Sequence, residues 1–541
     1  MEKLEKGKKA HAAGNFSDAL KIYQEILSQE AGNSELHGLL GGLYQSTGDF
    51  ALSEKHFKEA IRLEPENPDY SFYLANTLRE MGQTDAALVI LQEITEKYPN
   101  HAKSWYNLGN VWREKEEYDQ AATYYEKAIA ADPSYARAYI NLGVTEIDRK
   151  NYDKAISILN KAKAIAPQMA SIYNNLANAF SMVERFEDAI VAASRSIELD
   201  PQKAEAFNNL GSALRQVGRF KEGARAFSQA TTVRHNYPRA HSNLGMTLLA
   251  MGDFARGWEA YEWRRNLEMP KNSPPPLLPE FPLAGKNLIL AREQGLGDII
   301  HFVRYAPLLA AIGGRVIVEA PKSLARLIKS CPGVSKVIEP KEELPGPIIK
   351  FPLLSLPKIF NTSIATIPAL IPYLSPLKNE AEEWAEKLKD LPRPRIGLAW
   401  YGNPENDNDR HRSIPLEKFA PLFAAFPGAN FISVQPGKIE GNFPVHDLLP
   451  DDADFATTAA LMVNLEMIVS VDTAPLHLAG ALGIPTLFLV QHIPDWRWLL
   501  EVNYSPWYPS LKIFRQETRG DWEIPIQAVI KDIKIRLNGP G

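Results

Sequence analysis

Three short segments in the second half of the 541-residue chain carry residue types that could act together on a phosphorylated substrate. The first is Ala291-Arg-Glu-Gln-Gly295-Leu-Gly297-Asp298-Ile-Ile-His301. Its glycines predict a tight turn opening onto a helix N-terminus, where backbone N–H groups suit an anion. The segment has no full dinucleotide fingerprint, which argues against a nicotinamide site. Asp298 in such a turn could face a cleft and take a proton from an acceptor hydroxyl; it could equally cap the helix.

The second segment is Ser470-Val-Asp472-Thr473-Ala474-Pro475-Leu-His477, running on to Gly480, Gly483 and Pro485. It reads as strand, turn and helix. Asp472 and Thr473 stand where the helix begins, and Pro475 suits its first turn. A helix dipole, amides, a hydroxyl and the His477 imidazole would converge there on a diphosphate. An N-cap role alone would explain Asp472 and Thr473 but not His477. The third segment, Trp400-Tyr-Gly402 to Asp409-Arg410-His411-Arg412-Ser413-Ile-Pro415, is a polar loop whose arginines could neutralise a leaving pyrophosphate. Asp407 and Asp409 have no further ligands clustered around them in sequence, so no metal is expected. Gln435 and Lys438, after a short apolar run, are further candidate donor contacts. Pro494-Asp-Trp496-Arg-Trp498 could flank a base or sugar, or simply form an aromatic core cluster.

Such segments need strands to carry them. Apolar runs bounded by turns predict strands at 287–291, 315–319, 395–400, 431–434, 467–471 and 486–490, with helices between, as at 323–330, 416–426 and 458–464. Alternation of strand and helix argues for parallel sheets. A proline-rich break and charged helix near 371–395 divide this region into a first α/β lobe over 285–375 and a second over 376–541. Ligands in open α/β sheets bind at the carboxyl ends of the strands.

The first half has a different grammar. Pro65, Pro99, Pro133, Pro167 and Pro201 recur every 34 residues, and Leu40, Leu74, Leu108, Leu142, Leu176, Leu210 and Leu244 keep the same period. A small residue follows each leucine, and another recurs at Ala19, Ser53, Ala87, Ala121, Ala155 and Ala189. This is the pattern of a stacked helical hairpin, in which small residues let helices approach and the proline ends the second helix. Neighbouring hairpins would stack into a superhelix with a concave groove. Asn107, Asn141, Asn175, Asn209 and Asn243 share the period. Their amides could hold an extended peptide backbone, or could bond to the neighbouring hairpin. Between the halves, residues 269–284 are proline-rich and predict a semi-rigid linker.

The 34-residue pattern resembles the tetratricopeptide repeat, over residues 1–268 in about eight copies. The set Gly297-Asp298, Arg412 before Pro415, and Asp472 to His477 resembles the bacterial heptosyltransferase family. That family's members are metal-independent, inverting glycosyltransferases of the two-lobed GT-B kind. The resemblance implies that Asp298 is the catalytic base, that Arg412 contacts sugar-nucleotide phosphates, and that the 472–477 turn, with Gly295, Gly297, Thr473 and Ala474 nearby, binds the donor diphosphate. The combined plan is similar to that of O-GlcNAc transferase, whose asparagine ladder holds polypeptide. The basic position here is arginine where lysine is familiar, and the first lobe is short for a heptosyltransferase, so acceptor identity does not carry over.

Composition sets limits on this reading. A formal charge of -5 and pI near 6.2 argue against a general nucleic-acid binder. The single cysteine, Cys331, excludes an internal disulfide, and its place at a helix-to-turn junction suggests packing rather than nucleophilic chemistry. The charged N-terminus and the absence of a long apolar run predict a soluble, cytoplasmic protein. The expectation is a glycosyltransferase using a nucleotide diphosphate sugar as substrate, with no separate cofactor and a polypeptide in the repeat groove. The rivals are a repeat scaffold with a vestigial transferase domain and a sugar-nucleotide epimerase.

Overall fold

The computed structural model describes residues 2–268, 283, 286–340, 342, 348–406, 408–437 and 439–538. Apart from Leu283, the proline-rich linker lies outside the described residues, as do Asp407 and Lys438. The chain divides into two compact units, Met1–Val217 and Gly218–Gly541.

The first unit is all helical, with thirteen α-helices among its described residues, from Glu2–Ala12 to Ala204–Gln216. Each 34-residue unit is a hairpin, and its geometry follows from residue size. A Cβ at Gly109 would stand 2.6 Å from the Tyr125 ring, and one at Gly143 would stand 2.6 Å from Leu159. The small residue on the first helix is therefore the floor on which the second helix lays a bulky side chain. That bulky position, Phe57, Leu91, Tyr125 and Leu159, is buried throughout. The helices that end at Leu63, Lys97, Ala131, Ile165 and Leu199 each stop two residues before the repeat proline, as the proline requires.

The second unit opens with three more helices of the same pattern, Phe220–Val233, Pro238–Ala250 and Phe254–Tyr261. These helices keep the repeat pattern up to the linker and also pack against the α/β region. Phe254, Trp258 and Tyr261 share one buried core with Trp496, Trp507 and Tyr508, and Trp258 Nε1 donates to the Thr362 carbonyl at 2.8 Å. Nearby, Arg264 reaches both oxygens of Glu293 at 3.0 and 3.1 Å and the Ser355 hydroxyl at 3.0 Å. Aromatic burial and this ion pair outweigh any tendency of the chain to separate at its prolines.

Beyond them lie two parallel sheets. The first holds β1 (Asn287–Ala291), β2 (Arg315–Glu319), β3 (Val334–Ile338) and β4 (Ile348–Pro352), in the order β3-β2-β1-β4. The second holds β5 (Arg395–Ala399), β6 (Asn430–Ser433), β7 (Val445–His446), β8 (Met467–Ser470), β9 (Thr486–Val490) and β10 (Leu511–Arg515), in the order β10-β9-β8-β5-β6-β7. Chain order reverses between β1 and β4 in one sheet and between β8 and β5 in the other. All three chemical segments follow a strand at one of these reversals, after β1, β5 and β8, where a crevice opens at the carboxyl edge. Cys331 is buried in the first lobe, and burial pushes its thiol up to about 12, which leaves it a packing residue.

Candidate functional site

The turn after β1 leads into the Leu296–Phe302 helix with Gly295 as its N-cap. Asp298 Oδ2 accepts the Gly295 N–H at 2.9 Å, so the capping alternative is realised. Its other oxygen accepts from Arg497 Nη2 at 2.5 Å. Burial pushes the Asp298 carboxyl above its ordinary range, while Arg497 pulls it back. Each carboxylate oxygen keeps a second lone pair, so capping and pairing do not use up its capacity to accept a proton.

The turn after β8 leads into the Ala474–Leu482 helix, with Thr473 as N-cap. The Thr473 side chain makes no capping hydrogen bond. Asp472 Oδ2 accepts the Trp498 Nε1–H at 2.8 Å, which commits that oxygen to the protein rather than to a ligand. Burial, and then the neighbouring Asp495, push the Asp472 carboxyl up to about 6. His477 is buried, stacks on Trp498 and shares a 3.0 Å hydrogen bond between Nδ1 and the Tyr508 hydroxyl. Burial holds its imidazole well below its ordinary value, hence neutral.

These two turns meet. A Cβ at Gly297 would lie 2.7 Å from His477 Cδ2 and 3.7 Å from Ala474 Cα, so only glycine lets the helix N-termini stand this close. The third segment arrives from β5. Arg412 Nε donates to Asp409 Oδ1 at 3.0 Å, and Asp409 Oδ2 accepts from the Ser413 hydroxyl at 2.8 Å. Asp409 thus orients Arg412, whose two Nη groups have no hydrogen-bond partner among the described residues. Its charge acts on both Asp472 and His477, lowering the pKa of each, which brings all three segments to one place.

One expected contact needs correction, and one pair of alternatives is decided by burial. Gln435 is buried, and its Oε1 accepts the Trp400 N–H at 2.6 Å, so its amide fastens the loop after β5 rather than facing a ligand. The Trp496–Trp498 segment is the core cluster, both indoles being buried. Lys438 lies outside the described residues. What sequence reasoning did not single out was Arg497. Its Nη1 donates to Asp495 Oδ1 at 2.8 Å, and its guanidinium lies 4.3 Å from the centroid of the Trp496 ring. Nor did it single out Tyr508, although Trp507-Tyr508 between two prolines was a signal available in the chain.

In the first unit a hollow of about 790 Å³ is lined by Tyr73, Asn76, Arg79, Lys103, Tyr106, Asn107 and Asn110, among others. Three asparagines of the ladder donate to asparagines of the preceding hairpin. Asn107 Nδ2 donates to Asn76 Oδ1, Asn141 Nδ2 to Asn110 Oδ1 at 2.8 Å and Asn209 Nδ2 to Asn174 Oδ1 at 3.0 Å. Those amide hydrogens join successive hairpins, which is the alternative to holding a threaded backbone. Asn175 accepts from Asn174 at 3.4 Å, and the Asn243 carbonyl accepts from Thr247 at 2.7 Å.

Residues 4–68 match the family model of the tetratricopeptide repeat, and residues 44–271 match that of the cilia and flagella-associated protein 70 C-terminal domain. The first half of the chain is a tetratricopeptide repeat array. Protein FlbA of Caulobacter vibrioides is 27% identical over 302 residues, which cover 49% of this chain and 50% of that protein. The chain thus spans about half the length of the curated relative it matches. Among solved structures, a tetratricopeptide repeat protein from Parabacteroides merdae is similar at 19% identity and a TM-score of 0.37, over 46% of this chain and 98% of that one. Yeast Tom70 is similar at 19% identity and a TM-score of 0.35, over 47% and 55%. YrrB, described as having an unusual peptide-binding site, is similar at 21% identity and a TM-score of 0.30, over 34% and 95%. No helix among the described residues is long and apolar enough to cross a membrane.

Proposed function

We propose that the second unit is a glycosyltransferase domain, inverting and metal-independent, which moves a sugar from a nucleotide diphosphate sugar to a hydroxyl acceptor. The supporting observation is the meeting of three turns, each leaving a parallel sheet where its strand order reverses. Asp298 takes the acceptor proton as the oxygen attacks the anomeric carbon and the bond to the diphosphate breaks. The departing charge is met by the Arg412 Nη groups, the Thr473 hydroxyl, His477 and the N-terminus of the Ala474–Leu482 helix. The repeat array holds a polypeptide acceptor or partner, and the hollow beside Tyr73 and Lys103 offers donors, acceptors and aromatic surface for one. We place the protein in the cytoplasm, where nucleotide sugars are available.

A second reading, a scaffold with a vestigial transferase domain, is favoured by one observation. Asp298 is held by both its cap and Arg497, a geometry that serves stability without catalysis. Labelled nucleotide sugars supplied to the full chain with polypeptide acceptors separate the two. The transferase reading predicts nucleoside diphosphate release with sugar incorporated. Asp298→Asn should remove that turnover, and Arg412→Ala should lower it by about 10²- to 10³-fold. A folded wild-type chain that binds nucleotide and transfers nothing supports the scaffold. An altered free sugar nucleotide, with nothing incorporated, would point to an epimerase.

A further inference from the structure

Behind His477 lies a buried polar chain that the transfer mechanism does not use. The Tyr508 hydroxyl stands 3.0 Å from His477 Nδ1 and 2.9 Å from Nδ1 of His301, on the Leu296–Phe302 helix. Tyr373, whose hydroxyl donates to the Ile300 carbonyl at 3.0 Å, and Arg304, which donates to Tyr373 at 3.0 Å, close the cluster. His301 is fully buried, and its Nε2 has no partner.

Proton counting makes the two histidines interdependent. Burial keeps both imidazoles neutral, so each carries one ring proton. Tyr508 has one hydroxyl proton. The Tyr373 hydroxyl is a longer reach, at 3.5 Å, than either imidazole, so Tyr508 donates to one Nδ1 and the other donates to it. In one arrangement His477 is protonated at Nδ1, Tyr508 donates to His301, and His301 buries an unpaired Nε2–H. In the other, His301 donates from Nδ1, Tyr508 donates to His477 Nδ1, and His301 buries only an unused lone pair. A buried N–H without an acceptor is the rarer and costlier defect, so the second arrangement is favoured. The proton of His477 then sits on Nε2, the nitrogen that a Cβ at Gly297 would approach to 3.4 Å.

We propose that Tyr508 and His301 form a tautomer-setting relay that makes His477 present an Nε2–H donor, not a basic lone pair, to an oxyanion at the start of the Ala474–Leu482 helix. This rests on the reading of that helix start as the diphosphate site. It makes His477 a hydrogen-bond donor to the leaving phosphate and excludes it as the general base, which leaves that role to Asp298. Tyr508 and His301 are positioning residues that act through His477.

The test is nitrogen NMR of the full chain labelled at histidine, with His477 assigned by its loss in His477→Ala. Without ligand, Nε2 should show the shift of a protonated ring nitrogen and Nδ1 that of an unprotonated one. Tyr508→Phe should move both toward averaged values and weaken inorganic pyrophosphate binding by about tenfold, the effect of one hydrogen bond to a charged group. An unprotonated Nε2 in the wild-type chain overturns the relay, and that spectrum decides the matter even if Tyr508→Phe fails to fold. Wild-type tautomer as expected, but no pyrophosphate binding, overturns the oxyanion role and the diphosphate reading while leaving the relay intact.

Discussion

Two glycines in one turn should respond very unequally to the same substitution. Gly297 lies inside the Leu296–Phe302 helix, where propensity alone makes alanine better by about 0.5–1 kcal/mol. The structure reverses that sign. The new Cβ would stand 2.7 Å from His477 Cδ2, and that ring cannot swing away, being buried, bonded to Tyr508 and stacked on Trp498. Overpacking of this kind costs about 1–3 kcal/mol. The net expectation for Gly297→Ala is a loss of about 1–2 kcal/mol and, because the helix N-termini are forced apart, of nucleotide binding. At Gly295 the backbone is extended, and the nearest atom to a Cβ is Asp298 Oδ2 at 3.5 Å, an ordinary contact. Gly295→Ala should cost only a few tenths of a kcal/mol, from a poorer N-cap. Scanning calorimetry on the full chain reads both, through whichever transition shifts, with roughly 2–4 °C expected per kcal/mol. A Gly297→Ala protein as stable as wild type, or a Gly295→Ala protein that is the worse of the two, would refute the close-approach argument.

Two further expectations concern the repeats and the buried acid. The turn between paired helices needs a left-handed residue every 34 positions; glycine supplies it at Gly14, Gly48 and Gly82, but Glu116, Lys150 and Glu184 occupy it at φ of 61°, 63° and 61°. Relief of about 1–2 kcal/mol of strain, less about 0.5–1 for glycine's freedom when unfolded, predicts that each change to glycine stabilises by about 0.5–1 kcal/mol. The three together should raise the urea midpoint with an unchanged slope, and a lower midpoint would count against the assignment. Asp472 binds its proton more tightly folded, at about 6, than unfolded, near 4. Its contribution to stability is therefore full in acid and is lost as pH rises from about 4 to 6. Asp472→Asn, which keeps an acceptor for Trp498, should gain in melting temperature relative to wild type across that window. A difference that stays constant with pH would refute it.

Legibility in the sequence followed burial. The six strands found from apolar runs include every interior strand of the two sheets. The four missed, β3, β4, β7 and β10, are all sheet edges. Edge strands are half-exposed, so Val334-Ser-Lys-Val-Ile and Leu511-Lys-Ile-Phe-Arg interleave polar with apolar residues and lose the continuous run. The three chemical turns were legible because glycine and proline punctuate them locally. Their partners were not, since Arg497 meets Asp298 across 199 residues and Tyr508 meets His301 across 207. The asparagine ladder was visible as a period, yet period alone does not say whether an amide faces a ligand or the next hairpin.

The central claim is that the Gly297, Arg412 and His477 turns together hold a nucleoside diphosphate. Isothermal titration of the full chain with UDP, GDP, ADP and CMP, first with chelator and then with magnesium, tests it most directly. The account predicts saturable binding of one nucleoside diphosphate, unchanged by chelator and lost in Arg412→Ala and His477→Ala. Failure of UDP, GDP and ADP alike to bind a folded chain at millimolar concentration would contradict it.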